Sequence, residues 1–190
     1  MKTIVSFFFE AGQLKKVARS GWWLAGISNP ESVAEHSFRT AVIGYVLAGM
    51  EHANADKCAV MCLFHDIQET RLTDFHKVTK RYIDTAAAKA QVLEDQLELL
   101  PAETADALAS SLRNLESSES LEARIVHDAD ALECLIQALE YKAAGNHDVQ
   151  EWIDTSYARL RTESAIELAK ACLQEDGKVW WEKIKKHDDR

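Results

Sequence analysis

Apolar side chains recur every three to four residues along most of the chain, which is the spacing of one face of an α-helix. Only two prolines and seven glycines occur, which leaves little material for tight turns and hairpins. The pattern therefore predicts an all-α chain of about seven or eight helices. We expect these helices to span approximately residues 3–17, 32–50, 55–70, 84–99, 102–117, 120–144, 148–160 and 163–187.

Local signals fix some of these boundaries. Ser32 and Glu35 have the spacing of a capping box, in which each side chain satisfies a free backbone N–H group at the start of a helix. Residues 71–82 are polar and lack a clear period, so we expect a loop or a short helix there. No repeat or low-complexity linker divides the chain, which predicts one domain over residues 1–190.

Charge and hydropathy exclude several classes of protein. The chain has 31 acidic and 22 basic residues, and its net charge of −9 disfavours nucleic acids and anionic membranes as partners. No apolar run approaches the roughly 20 residues that a membrane-spanning helix needs. The apolar run Phe7–Phe9 is followed at once by Glu10, and no small-residue cleavage site follows. The pattern therefore predicts a helix here rather than a signal peptide. We expect a cytoplasmic protein.

The cysteines are too sparse for a disulfide framework or a thiolate zinc site. Cys58 and Cys62 are four residues apart on a predicted helix, a spacing that could hold a soft metal, but no second pair of ligands accompanies them. Free, buried thiols in a reducing compartment are the favoured interpretation for all four cysteines, which are Cys58, Cys62, Cys134 and Cys172.

Two imidazoles and two carboxylates have the chemistry of a metal site: His36, His65, Asp66 and Asp130. Apolar residues flank His65 and Asp66, and an ionised carboxylate is costly there unless it is paired or bound to a metal. The four side chains would neutralise a divalent ion and leave positions for water and substrate, as catalytic sites do. Taken singly, each also has an ordinary explanation as a hydrogen-bonded core or surface group.

Glu69 lies near the His65-Asp66 pair in the predicted helix. It follows His65 by four residues and Asp66 by three, so a continuous helix would place it on their face. A carboxylate in that position could take a proton from water or give one to a leaving group.

The order His36, His65-Asp66, Asp130 resembles the H…HD…D signature of HD-domain metal-dependent phosphohydrolases. Longer runs are similar to the branch that contains 5′-deoxynucleotidases, namely Arg19 to Trp22, Pro30 to Ser37, His65 to Glu69 and Asp128 to Glu133. The resemblance covers residues 12–160 and implies an HD-domain helical bundle, with residues 163–187 as a further C-terminal helix.

The resemblance implies one divalent metal ion held by His36, His65, Asp66 and Asp130. Asp130 matches the family's aspartate because Ala131-Leu132-Glu133 follows it, and Asp128 is about 200° away around a helix. His127 and Asp128 are then expected either to lie behind the metal ligands and support them or to be solvated. Mixed imidazole and carboxylate ligands suit Mn²⁺, Co²⁺, Fe²⁺, Ni²⁺ or Zn²⁺ better than Mg²⁺.

The resemblance also implies roles around the substrate. Asp66 and Glu69 would be catalytic, with Glu69 as the acid/base that helps water attack phosphorus. Arg19 would contact phosphate or sugar, Trp22 would form the wall beside the sugar, and Asp74 would lie where deoxy and ribo forms differ. The family usually has Gly-Asp after the glutamate, often with a proline soon after, whereas this chain has Thr73-Asp74 and no proline in the residues that follow to Lys77. The difference puts the deoxy preference in question.

The resemblance implies removal of phosphate from (deoxy)nucleoside 5′-monophosphates, through a water activated by the metal, and it implies a homodimer. Lys77, Lys80 and Arg81 could add positive charge for the phosphate or form a solvated basic face. The apolar stripe of Trp180, Trp181 and Ile184 is expected to dock on the core or to join a dimer interface. Two alternatives stay open: an HD hydrolase for another phosphorylated metabolite, and a noncatalytic HD-fold regulatory module.

Overall fold

Nine α-helices account for most of the residues that the computed structural model describes, which are 1–113, 115, 118–175 and 184. The helices are α1 (Lys2–Ala11), α2 (Val33–Met50), α3 (Ala55–Phe64), α4 (Glu69–Leu72), α5 (Ala86–Leu97), α6 (Ala102–Leu112), α7 (Leu121–Ala143), α8 (Gln150–Arg159) and α9 (Glu163–Gln174). Short 3₁₀ turns lie at Gly12–Lys15, Ser20–Ala25, Thr79–Arg81 and His147–Val149. Within these ranges there is no β-strand, and the predicted all-α class is confirmed.

The predicted capping box is present at the start of α2. Glu35 Oε2 accepts a hydrogen bond from the Ser32 backbone N–H at 2.7 Å, and Ser32 Oγ accepts one from the Glu35 N–H at 3.2 Å. These bonds satisfy two backbone donors that the first turn of a helix leaves free. The observed bounds of α2 therefore match the prediction closely.

Three predicted helices are shorter in the structure. The first tightens into a 3₁₀ turn at Gly12, the helix predicted over residues 102–117 ends at Leu112, and the helix predicted to reach residue 70 ends at Phe64. At that last position His65 Nδ1 hydrogen-bonds to the carbonyl of Cys62 at 2.6 Å, which occupies an oxygen that a continuing helix would use. Trp180 and Trp181, part of the predicted C-terminal stripe, lie outside the described residues.

The larger core forms where α2, α3 and α7 pack together. Gly44 on α2 faces α3 so closely that a Cβ atom there would lie 2.5 Å from Sγ of Cys62, so a larger residue would push the two helices apart. Cys58 and Cys62 are buried in this core, whereas Cys134 and Cys172 are only half-buried, so the expectation of burial holds for two of the four free cysteines. No helix among the described residues is both long and apolar enough to cross a membrane.

Asp128 has a structural position on α7. It is fully buried, and its carboxylate accepts hydrogen bonds from the backbone N–H groups of Arg161 and Thr162 at 2.9 and 2.7 Å. It thereby ties the connection between α8 and α9 to α7. The expectation of an outer or solvated group was wrong for this residue, because the start of α9 covers it.

Candidate active site

Five of the eight residues singled out in the sequence line one cavity of about 240 Å³: Arg19, His65, Asp66, Glu69 and Asp130. His36 lies fully buried beside it, with its ring centre 5.3 Å from that of His65. Trp22 and Asp74 line an adjoining cavity of about 140 Å³ that shares Arg19 with the first. The fold thus brings together residues that are up to 111 positions apart in sequence (Arg19 to Asp130).

His65 and Asp66 lie on a turn rather than within a helix. The turn connects α3 with α4, and successive i to i+3 backbone bonds, such as Glu69 N–H to the Asp66 carbonyl at 3.0 Å, run through it. Glu69 begins α4 and is buried. The sequence prediction of one continuous helical face was wrong here, but the tight turn still directs all three side chains to the cavity.

The side chains of His36, His65 and Asp66 each offer one ligand atom, and these atoms lie within 4.8 Å of one another. Asp130 Oδ1 lies 3.3 Å from His36 Nε2. Nε2 of His36 and Nε2 of His65 are both buried without a hydrogen-bond partner. Because buried nitrogen atoms are rarely left unsatisfied, two such atoms facing carboxylates fit the donor set for a divalent cation.

Charges around the cavity hold its two aspartates ionised. Burial alone would raise the pKa of Asp66, but His65, Lys89 and Arg19 together hold it well below its usual range. Burial likewise opposes ionisation of Asp130, and His36, His65 and Arg19 outweigh it so that the pKa is well below its usual value. Both side chains are therefore available as anionic ligands.

Two neighbouring carboxylates shift the pKa of His36. Burial and the charge of Arg19 would lower this pKa, but the carboxylates of Asp130 and Glu133 outweigh them and raise it to about 9. In the metal-free chain this ring is consequently protonated at neutral pH, so a cation bound at Nε2 would displace a proton.

The pKa of Glu69 shifts in the opposite direction from those of Asp66 and Asp130. Burial, together with the negative charges of Asp66 and Asp74, raises the pKa of Glu69 to about 9 despite nearby Arg19 and Lys89. Its Oε2 is buried without a hydrogen-bond partner. The side chain can therefore hold a proton at neutral pH beside an anionic ligand, as a general acid must.

Trp22 and Asp74 form a second region of the site, next to Arg19. Trp22 is almost fully buried, stacks on Trp152 at 5.8 Å, and donates from Nε1 to Glu31 Oε1 at 3.0 Å. Asp74 Oδ2 accepts from the backbone N–H of Ser20 at 2.7 Å. These bonds hold an aromatic face and a carboxylate at fixed positions along the adjoining cavity.

Thr73 occupies the place where the resembled family has glycine, and its backbone keeps a glycine-like conformation. Its φ and ψ angles are 64° and 169°, a region that β-branched residues rarely adopt. The N–H of Thr73 closes α4 on the Glu69 carbonyl at 2.9 Å, and Asp74 follows directly. Thr73 therefore holds a backbone conformation that costs strain in a β-branched residue.

We expect Thr73→Gly to raise the free energy of unfolding by about 1 kcal/mol, because relief of about 1–3 kcal/mol of strain exceeds glycine's entropic cost of about 0.5–1 kcal/mol. Chemical denaturation measures the change. Thr155→Gly, at an exposed position inside α8, is the matched control and should lower stability by glycine's cost alone. A Thr73→Gly protein no more stable than the unchanged chain would show that the strain is absent.

Four residues beside the site were not identified as functional from the sequence: Lys89, Glu133, Trp152 and Arg159. Lys89 Nζ lies 3.8 Å from Asp66, and Arg159 Nη2 lies 2.9 Å from Asp130. Of the basic residues considered earlier, Lys80 lines the main cavity, whereas Lys77 pairs with Glu151 and covers Trp152. Only Glu133 had a signal in the sequence, because it belongs to the run that resembles the family.

The fold and the buried His-Asp cluster together define a helical protein with a candidate metal centre. Residues 11–171 match the family described as HD domain, and the chain belongs to the HD-domain family. The 5′-deoxynucleotidase HDDC2 of Bos taurus is 29% identical over 170 residues, which cover 88% of this chain and 82% of the relative. The 5′-deoxynucleotidase VV1113 of Vibrio vulnificus is 28% identical over 170 residues, covering 82% of this chain and 86% of the relative.

Solved structures show the same fold. The predicted coding region AF1432 of Archaeoglobus fulgidus has a TM-score of 0.65 and 32% identity, over 95% of this chain and 100% of that one. PH0347 of Pyrococcus horikoshii has a TM-score of 0.75 and 27% identity, over 88% of this chain and 97% of that one. The family resemblance given by the sequence motifs is thus confirmed.

Proposed function

We propose that this protein is a metal-dependent phosphohydrolase that removes phosphate from (deoxy)nucleoside 5′-monophosphates. The observation that carries the proposal is the convergence of two unpartnered imidazole nitrogens and two ionised aspartates on a cavity where Glu69 can hold a proton. The names of the Bos taurus and Vibrio vulnificus relatives support a 5′-deoxynucleotide as substrate.

His36, His65, Asp66 and Asp130 would hold the metal ion. Mixed imidazole and carboxylate donors favour Mn²⁺, Co²⁺, Fe²⁺, Ni²⁺ or Zn²⁺ over Mg²⁺. We propose one ion because His36, His65 and Asp66 offer ligand atoms within 4.8 Å of one another, and Asp130 Oδ1 lies 3.3 Å from the Nε2 atom of His36. A divalent ion held there supplies a Lewis acid, which withdraws charge from phosphate oxygens and makes water more acidic.

The remaining side chains of the cavity have roles in binding and proton transfer. The Arg19 guanidinium lies 3.9 Å from Asp66 and borders both cavities, so it can hold a phosphate oxygen with paired N–H groups while facing the sugar. Glu69, protonated at neutral pH, can donate to the oxygen that leaves as the phosphorus–oxygen bond breaks. Water supplies the oxygen that completes the released phosphate, and the proton that this water gives up restores the acid form of Glu69.

The sugar would lie along the adjoining cavity. Trp22 gives it a flat apolar wall, and the Asp74 carboxylate, fixed by Ser20, lies where a 2′-hydroxyl could be distinguished from hydrogen. Since Thr73 retains the glycine-like backbone conformation, the position of Asp74 supports a preference for deoxynucleotides.

The homodimer and the cytoplasmic location belong to the same proposal. Phe38, Val42 and Tyr45 lie on one face of α2 and are all exposed, an apolar stripe of the kind that protein interfaces cover. Four cysteines without a disulfide bond are typical of a reducing compartment.

Phosphate release from paired deoxy and ribo 5′-monophosphates tests the function, using metal-stripped protein resupplied with Mn²⁺ or Co²⁺. We expect metal-dependent release that favours the deoxy set. Equal release from both sets would retain the hydrolase and remove the proposed role of Asp74. No release from either set by metal-loaded protein would contradict the proposed substrate and favour another phosphorylated metabolite or a noncatalytic module.

A further inference from the structure

Glu133 contacts the edge of His36 that faces away from the cavity. It lies three residues after Asp130 on α7 and is completely buried. Its Oε2 is 2.5 Å from His36 Nδ1, whereas Nε2 on the other edge of the ring faces Asp130 at 3.3 Å. One imidazole therefore bridges a buried carboxylate on one side and the candidate metal position on the other.

Arg39 fixes the second oxygen of Glu133. Its Nε and Nη2 atoms lie 2.9 and 2.8 Å from Glu133 Oε1. The far side of the guanidinium is held in turn, because Nη1 donates to both carboxylate oxygens of Glu140 at 2.8 Å and Nη2 donates to Gln137 Oε1 at 2.7 Å. Side chains from α2 and α7 thus lock Glu133 in one orientation.

We propose that Glu133 is a positioning residue that aims His36 at the metal. A buried carboxylate accepting from Nδ1–H selects the tautomer whose Nε2 lone pair faces the cavity, and it makes that nitrogen a stronger ligand. Arg39 keeps the carboxylate from turning away from His36. The inference rests on the proposed function, since it assigns Glu133 a task in the same metal site.

The hydrogen bonds of the neighbouring Glu31 agree with this role for Glu133. Glu31 lies near His36 and Glu133, and each of the three offers one possible ligand atom within 4.8 Å of the others. Glu31, however, accepts a hydrogen bond from Trp22, and Glu133 is committed to His36 and Arg39. The carboxylates of Glu31 and Glu133 are therefore bound to supporting side chains. The two imidazole nitrogens without a hydrogen-bond partner are Nε2 of His36 and Nε2 of His65.

The test compares the metal affinity of stripped protein before and after Glu133→Gln. Glutamine keeps the shape and an acceptor oxygen but removes the charge, so we expect the Kd for Mn²⁺, measured by calorimetric titration, to rise by about 10–100-fold. The visible absorption spectrum of the Co²⁺-loaded protein should also change. Glu167→Gln, the same substitution at an exposed position of α9 outside this network, is the control and should leave both measurements near those of the unchanged protein.

A purely structural role predicts a different result. Glu133→Gln would then lower thermal stability while leaving the Mn²⁺ affinity within about twofold and the Co²⁺ spectrum unchanged, and this outcome would overturn the inference. If Glu133→Gln does not fold, Arg39→Gln provides the test. This variant removes the guanidinium that fixes the Glu133 carboxylate, so it should weaken Mn²⁺ binding although Glu133 itself is present. Failure of the unchanged protein to bind any metal would contradict the proposed function as well, whereas normal binding with an unaffected variant contradicts only the role of Glu133.

Discussion

Replacing Glu69 by glutamine should lower kcat for phosphate release by about 10²–10⁴-fold while leaving metal binding intact. Glutamine fills the same volume but cannot deliver a proton. Burial and the charges of Asp66 and Asp74 raise the pKa of Glu69 to about 9. Among the carboxyl groups that line the cavity in the described part of the chain, Glu69 is therefore the one suited to carry a proton at neutral pH. Steady-state kinetics with a deoxynucleoside monophosphate, alongside titration of Mn²⁺ into stripped protein, measures both effects.

The leaving group offers a sharper check on Glu69. An activated ester such as 4-nitrophenyl phosphate leaves without needing a proton, so Glu69→Gln should lose much less activity toward it than toward a nucleotide. Glu98→Gln, at the end of α5 and away from the cavity, provides a control for the loss of one negative charge. If Glu69→Gln kept near-normal rates with nucleotides, the proton-transfer role would be wrong.

Much of the fold could be predicted because its signals are local. The capping residues Ser32 and Ser120 lie immediately before α2 and α7, and the observed bounds of both helices agree with the predicted ones to within about a residue. The end of α3 at Phe64 was missed because the His65 side chain takes up the Cys62 carbonyl, and apolar periodicity carries no information about such a bond. Strain at Thr73 was likewise invisible, although the absence of the family's glycine marked the position.

The candidate site was only partly accessible from sequence. Residue types and order identified a donor set, but their convergence depends on how α2, α7 and the turn after α3 pack, and only the family resemblance pointed to it. Lys89 and Arg159 reach Asp66 and Asp130 from α5 and α8, across helix contacts that no spacing rule predicts. Glu133 was visible as part of a motif, but its task follows from a buried contact with His36, 97 residues earlier.

The second large effect is expected for Asp66→Ala, which should abolish both metal binding and turnover. Asp66 is a buried anion that balances His65, Lys89 and Arg19, and its loss removes a donor and leaves positive charge around the metal position. Changing residues that merely support a ligand costs about 10–100-fold in affinity, so loss of the ligand itself should raise the Kd for Mn²⁺ by more than about 100-fold. Titration of stripped protein measures this directly.

Asp74→Ala is the matched control, because it removes a carboxylate from the adjoining cavity that has no place in the donor group. It should leave Mn²⁺ affinity unchanged while altering the ratio of deoxy to ribo turnover. Asp66→Ala protein that still bound Mn²⁺ at the unchanged affinity would exclude Asp66 as a ligand. The pair of variants therefore separates the two roles proposed for this small region, which are metal binding by Asp66 and recognition of the sugar by Asp74.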